Sequence, residues 1–180
     1  MAHSSSQPAR APATAETASD GGAQVQQYLT FMLSGETFAM GILAIKEIIE
    51  YSPVTEVPMM PASVRGVINL RGSVVPVVDL AVRFGRAAAP VTKRTCIVII
   101  EVTARGERQD VGVVVDAVNA VLDIPASEIE PPPAFGTRIR TDFIQGMGRV
   151  NNRFVILLDV NHVLALDELA EVAGAAATAA

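Results

Sequence analysis

The chain repeats itself, and that limits its fold more than any other feature. Gly66 to Asp79 spans thirteen steps, and Gly146 to Asp159 spans the same thirteen. Laid over each other, Val75 meets Val155, Val77 and Val78 meet Leu157 and Leu158, Leu80 meets Val160, and Phe84 meets Leu164. The Arg71-Gly72-Ser73 turn falls on Asn151-Asn152-Arg153. A second match runs at an offset of seventy-three residues. Phe38 to Ile42, ahead of Ile45, Ile48 and Ile49, echoes Val111 to Val115, ahead of Val118, Val121 and Leu122. A repeat of this length predicts two copies of one small unit packed together. Short Val- and Ile-rich runs between turn residues make that unit a β structure, and a five-stranded barrel is the natural shape for it.

The repeat lies within residues 26–173. Residues 1–25 are almost entirely small and polar and cannot bury enough apolar surface to offset the entropy of ordering. They read as a disordered tail, and 174–180 as a second flexible one. The expected copies are roughly 28–90 and 91–160, intertwined. Tyr28 to Leu33 and Thr37 to Met40 form a hairpin through Ser-Gly-Glu, and Lys93 to Thr103 pairs with Asp110 to Val115. Pro76 removes a ladder donor and predicts an edge or a bulge. Ile42 to Tyr51 is expected to make short helical turns with Ile42, Ile45, Ile48 and Ile49 on one face. A longer amphipathic helix is expected from Asn161 as N-cap, burying Val163, Leu164, Leu166 and Leu169.

The residues needed for catalysis are missing from this pattern. The two histidines are His3, in the tail, and His162, near a helix start, so no metal cluster or nucleophile–histidine pair is available. The one cysteine, Cys96, falls inside an apolar strand pattern and reads as a buried thiol in a reducing compartment. Asp79 and Asp159 each end a strand before a helical pattern, which is where N-caps belong. No glycine motif for nucleotide phosphates is present. The net charge of −5 and 4% aromatic content disfavour a nucleic-acid-binding barrel, the alternative of another class, which needs a basic groove with stacking rings. No run approaches the roughly 18 apolar residues of a membrane span. The expectation is a cytoplasmic, non-catalytic binding module without cofactor or metal.

"GVINLRGSVVPVVDL", residues 66–80, strongly resembles the signature of CheW-like domains, the adaptors of bacterial chemosensory arrays. The likeness extends from Gln27 to about Leu169 through "YLTFMLSGETFAMGILAIKEIIEY", "VPMMPASVRGVINLRG", "VGVVVDAVNAVLDIP" and "FIQGMGRVNNRFVILLDV". The chain departs from the pattern at Ala81, where the family often has arginine, with Arg83 two positions on. The resemblance implies a mainly β fold of two intertwined five-stranded SH3- or OB-like barrels with short helices and a C-terminal helix. It implies a scaffold that couples transmembrane chemoreceptors to the CheA histidine kinase and is recruited to membrane arrays without inserting. Its partners would be the cytoplasmic tip of methyl-accepting receptors, the kinase's regulatory domain and other CheW-like domains in rings. The candidate contact residues are Ile45, Glu47, Gly66, Asn69, Leu70, Arg71, Gly72 and Val121. Arg71 is expected at a hairpin tip, displayed for a partner, and folding is not expected to depend on it. Glu47 is expected to share the rim.

Overall fold

The computed structural model describes residues 24–104, 106–132 and 140–164. The two expected tails and the positions of Leu166 and Leu169 fall outside these residues. The first copy supplies β1 (Val25–Leu33), β2 (Glu36–Gly41), β3 (Ile45–Glu50), β4 (Val64–Leu70), β5 (Ser73–Asp79) and helix α1 (Leu80–Arg83). The second supplies β6 (Cys96–Ala104), β7 (Glu107–Val115), β8 (Ala117–Pro125), β9 (Ile129–Glu130), β10 (Ile144–Val150), β11 (Arg153–Leu158) and helix α2 (Val160–Val163).

Pairing exchanges strands between the copies. One sheet runs β8-β1-β2-β11-β10-β9 and the other β3-β6-β7-β5-β4. Each sheet therefore takes its opening hairpin from one copy and the following strands from the other, so both mix residues of 28–90 with residues of 91–160. Equivalent pairings recur in the two sheets. β11 runs parallel to β2 with Leu157 opposite Ala39, and β5 runs parallel to β7 with Val77 opposite Gly112. Each sheet's outer strands return toward each other. Three residues separate β8 from β9 at opposite ends of the first sheet, and Thr55, just beyond β3, bridges Val67 of β4 in the second.

A main cluster lies between the sheets, where Phe31, Phe38, Phe84 and Phe143 follow one another with ring centroids 6.1, 5.6 and 6.0 Å apart. Each sheet also encloses a smaller cluster, one around Val77 with Ile97 and Ile99, the other around Leu157 with Tyr28 and Ile124. Val77 and Leu157 are both fully buried. Each replaced by Ala is expected to cost roughly 2–3 kcal/mol, a typical loss for buried aliphatic groups. Denaturant unfolding of the two variants checks this, and a silent substitution at either site would contradict the equivalence.

Several expectations need correction. Residues 45–50 form a strand, with only a 3-10 turn at Ile42–Ala44 before it. Burial alternates along it, with Ile45, Glu47 and Ile49 turned inward, and three β-branched isoleucines suit a pleated surface better than a helix. Helix α2 begins at Val160 under Asp159, two residues earlier than an Asn161 cap would place it. Asp79 caps α1 in the same way. The first hairpin turns through Ser34-Gly35 alone, and β6 and β7 extend into the residues expected to be turn. Pro76 lies in a bulge-flanked strand opposite Val67. Val67 gives both its backbone groups to Thr55, so the proline's missing donor falls outside the β4 ladder. Cys96 is only half-buried at the start of β6, its Sγ donating to the Arg94 carbonyl at 3.4 Å. Burial, then the nearby Glu50 charge, raises the thiol's pKa above its ordinary value.

Candidate functional site

The β4–β5 hairpin turns through Arg71 and Gly72 with φ of 51° and 87°. Two successive positive angles are the pattern of a type I′ turn, whose twist matches the flanking strands and which favours Asn and Gly. Asn69 closes it by accepting the Gly72 N–H on Oδ1 at 2.8 Å. The equivalent turn of the second copy carries Asn151 and Asn152 at 50° and 61°. Backbone conformation therefore favours asparagine here, and arginine's presence at position 71 needs another cause.

That cause lies across the sheet. Arg71 Nη1 and Nη2 donate to Glu47 Oε1 and Oε2, each at 2.8 Å. The planar guanidinium and the carboxylate meet fork to fork, and this hydrogen bonding, then the Glu47 charge, raises the Arg71 pKa. The contact gives Arg71 a partner within the sheet. β3 and β4 are the outer strands of the five-stranded sheet, so the pair ties one edge to the hairpin at the other. Even so, the Arg71 side chain stays 76% exposed while Glu47 is 26% exposed. The equivalent positions in the second copy hold Ala120 and Asn151, and its strands pair in the same order without either charge. The fold thus forms with or without the pair.

Glu47, Leu70 and Arg71 line a groove of about 430 Å³ with Lys46, Ser73 and Asp110. Lys46 Nζ lies 3.0 Å from Asp110 and 3.5 Å from Glu101. The structure gathers Glu47, Asn69, Leu70, Arg71 and Gly72 at one end of this sheet. Ile45 is half-buried two residues along β3 and packs against the main cluster. Val121 is exposed but belongs to β8 of the other sheet. Gly66 acts through its missing side chain: a Cβ there would lie 2.2 Å from the Thr55 carbonyl oxygen. Gly66→Ala is expected to destabilise the fold by about 2–3 kcal/mol, as backbone overpacking does, because the Thr55–Val67 bridge must give way. An unchanged denaturation midpoint would contradict this.

Sequence reasoning missed three surface residues. Leu43 on the 3-10 turn is 97% exposed, and Val74 beside the Arg71 turn is 72% exposed. Ile48, at the position equivalent to Val121, is also exposed. Leu43 edges a larger groove of about 790 Å³ that Tyr28, Ile42, Gln145, Asp159 and Asn161 help to line. The nucleic-acid reading loses its physical basis, since Tyr28, Phe31, Phe38, Phe84 and Phe143 are all buried. Among the described residues, Phe154 is the one exposed aromatic ring, too few for a stacking platform.

Residues 27–168 match the model of the CheW-like domain. The chain belongs to the CheW-like family. It is 35% identical over 145 residues to the chemotaxis protein CheW of Klebsiella aerogenes, covering 81% of this chain and 85% of that one. It is 34% identical to its counterpart in Rhizobium meliloti, covering 79% and 90%. The crystal structure of the scaffolding protein TtCheW from Thermoanaerobacter tengcongensis superposes with a TM-score of 0.70 at 32% identity, covering 78% of this chain and 88% of that one. The CheW-like chain is accordingly a mainly β chemotaxis scaffold. None of its helices among the described residues is long and apolar enough to cross a membrane.

Proposed function

We propose that this chain is the coupling scaffold of a chemosensory array, joining the cytoplasmic tips of methyl-accepting chemoreceptors to the regulatory domain of the CheA histidine kinase. It works in the cytoplasm and reaches the membrane through the receptors it binds, without catalysis or cofactor. The Arg71–Glu47 end of the five-stranded sheet is the contact surface. The observation that carries this reading is a fork-to-fork ion pair on a turn whose backbone favours asparagine, absent from the equivalent turn of the same fold. Interface charges set orientation and partner choice more than affinity. Ile45, Asn69, Leu70 and Gly72 frame that surface, and Gly66 holds the strand beneath it.

A receptor tip is a helical hairpin, and the groove beside Leu43 suits the apolar stripe of such a helix. Val121 and the ends of the exchanged sheets offer contacts to other CheW-like domains in rings. Reconstitution with a cognate receptor and kinase tests the proposal. Kinase autophosphorylation should respond to receptor only when this chain is present, and an equal response without it would overturn the coupling role.

A further inference from the structure

The two copies treat one site differently. In the first, Asp79 Oδ1 caps α1 by accepting the Ala81 and Val82 N–H groups at 3.0 and 3.3 Å. Its Oδ2 takes Arg65, with Nε at 2.8 Å and Nη2 at 2.6 Å. Arg65 also donates to the Tyr51 hydroxyl and the Ala89 carbonyl, both at 3.3 Å, and its guanidinium lies 5.7 Å from the Tyr51 ring centre. Burial alone would lower the Arg65 pKa, and the hydrogen bonds to Tyr51 and Asp79 outweigh it. The guanidinium fills a socket made of a carboxylate, a phenol and a carbonyl.

The second copy repeats the aspartate cap and the bulge without the cation, and Ile124 stands where the first copy has Tyr51. Asp159 caps α2 through the His162 N–H at 3.2 Å, and the Asp159 N–H donates to the Phe143 carbonyl as Asp79 does to Ser63. Arg65 is the extra residue of the bulge between Val64 and Gly66, and its equivalent between Ile144 and Gly146 is Gln145. Where Arg65 fills the first copy, the second leaves the groove of about 790 Å³, with Gln145, Asp159 and Asp123 in its wall. The Asp159 side chain is 32% exposed, against 3% for Asp79. His162 Nδ1 lies 2.8 Å from Asp159 Oδ2, an oxygen that can accept a second donor.

We propose that this groove is a socket for an arginine side chain presented by a partner protein. The inference deepens the reading that the groove receives a partner, and it rests on that reading. The filled site in the first copy shows that a capping aspartate beside this bulge holds a guanidinium when one is in reach. Charge agrees: among the described residues, two carboxylates line the groove and no lysine or arginine does. Residues 165–180 contain no lysine or arginine, and residues 1–23 contain only Arg10. Arginine fits better than lysine because its planar fork can span Asp159 and Gln145 together.

Titration of the full chain with N-acetyl-arginine amide, followed by amide NMR, tests the socket. Saturable shifts are expected at Gln145, Asp159 and His162, with the neutral citrulline counterpart binding about tenfold more weakly for want of the charge-assisted bond. Gln145→Arg should fill the socket from within, as Arg65 does, and abolish probe binding while the spectrum stays dispersed. Arg10→Gln should titrate like the parent. Equal binding of the two probes, binding that survives Gln145→Arg, or much tighter binding to Arg10→Gln would each overturn the proposal. The titration contains no receptor, so its failure removes the socket alone. If the probe binds as expected but Gln145→Arg leaves receptor association unchanged, the socket's assignment to the receptor falls instead.

Discussion

Asp79→Ala is expected to destabilise the protein by roughly 3–5 kcal/mol, the cost of stranding one member of a buried ion pair. Asp159→Ala is expected to cost only about 1 kcal/mol, the value of a helix cap. The two aspartates hold the same place in the repeat and cap equivalent helices, so capping cannot separate them. The difference comes from what else each holds. Asp79 is nearly inaccessible and neutralises Arg65, whose side chain is itself only 18% exposed. Removing the carboxylate leaves a charge facing Tyr51 and Ala89 with no counter-ion. Asp159 meets the half-open groove, where water can replace it. Parallel denaturant melts of the two variants decide the matter. Equal losses would mean that Arg65 relaxes into solvent and that the first socket is not a buried pair.

The duplication was legible because strand periodicity and turn chemistry are local. Gly66 to Asp79 and Gly146 to Asp159 align by eye, and their aspartates announce the caps. The exchange of strands between copies was only partly legible, because nothing within β3 says whether it pairs with β1 or with β6. Residues 42–51 misled for a related reason. Ile42, Ile45, Ile48 and Ile49 satisfy a helical spacing, yet Ile45, Glu47 and Ile49 satisfy the strand alternation equally well, and pairing with β6 decided between them. Glu47 and Arg71 were both visible as candidates, but their contact joins opposite edges of a sheet, which no local pattern encodes. The groove at Asp159 was invisible to the sequence, since it arises from the absence of an arginine that the first copy has.

On the proposed function, the Arg71–Glu47 pair is kept for a partner and not for the fold. An exposed ion pair contributes little to stability, and the second copy forms the same turn without it. Arg71→Ala should therefore give a circular-dichroism melt that overlays the parent's. In the reconstituted receptor, scaffold and kinase assembly, the same substitution should weaken receptor-dependent kinase activation by roughly tenfold or more, as losing a charged interface anchor does. Arg71→Lys should recover only part of that, because a point charge cannot reproduce the fork. The decisive measurement is receptor-dependent autophosphorylation by Arg71→Ala at matched protein concentrations. Near-complete loss of activation with an unchanged melt is the predicted result. Full activation, or a melt that collapses, would contradict it.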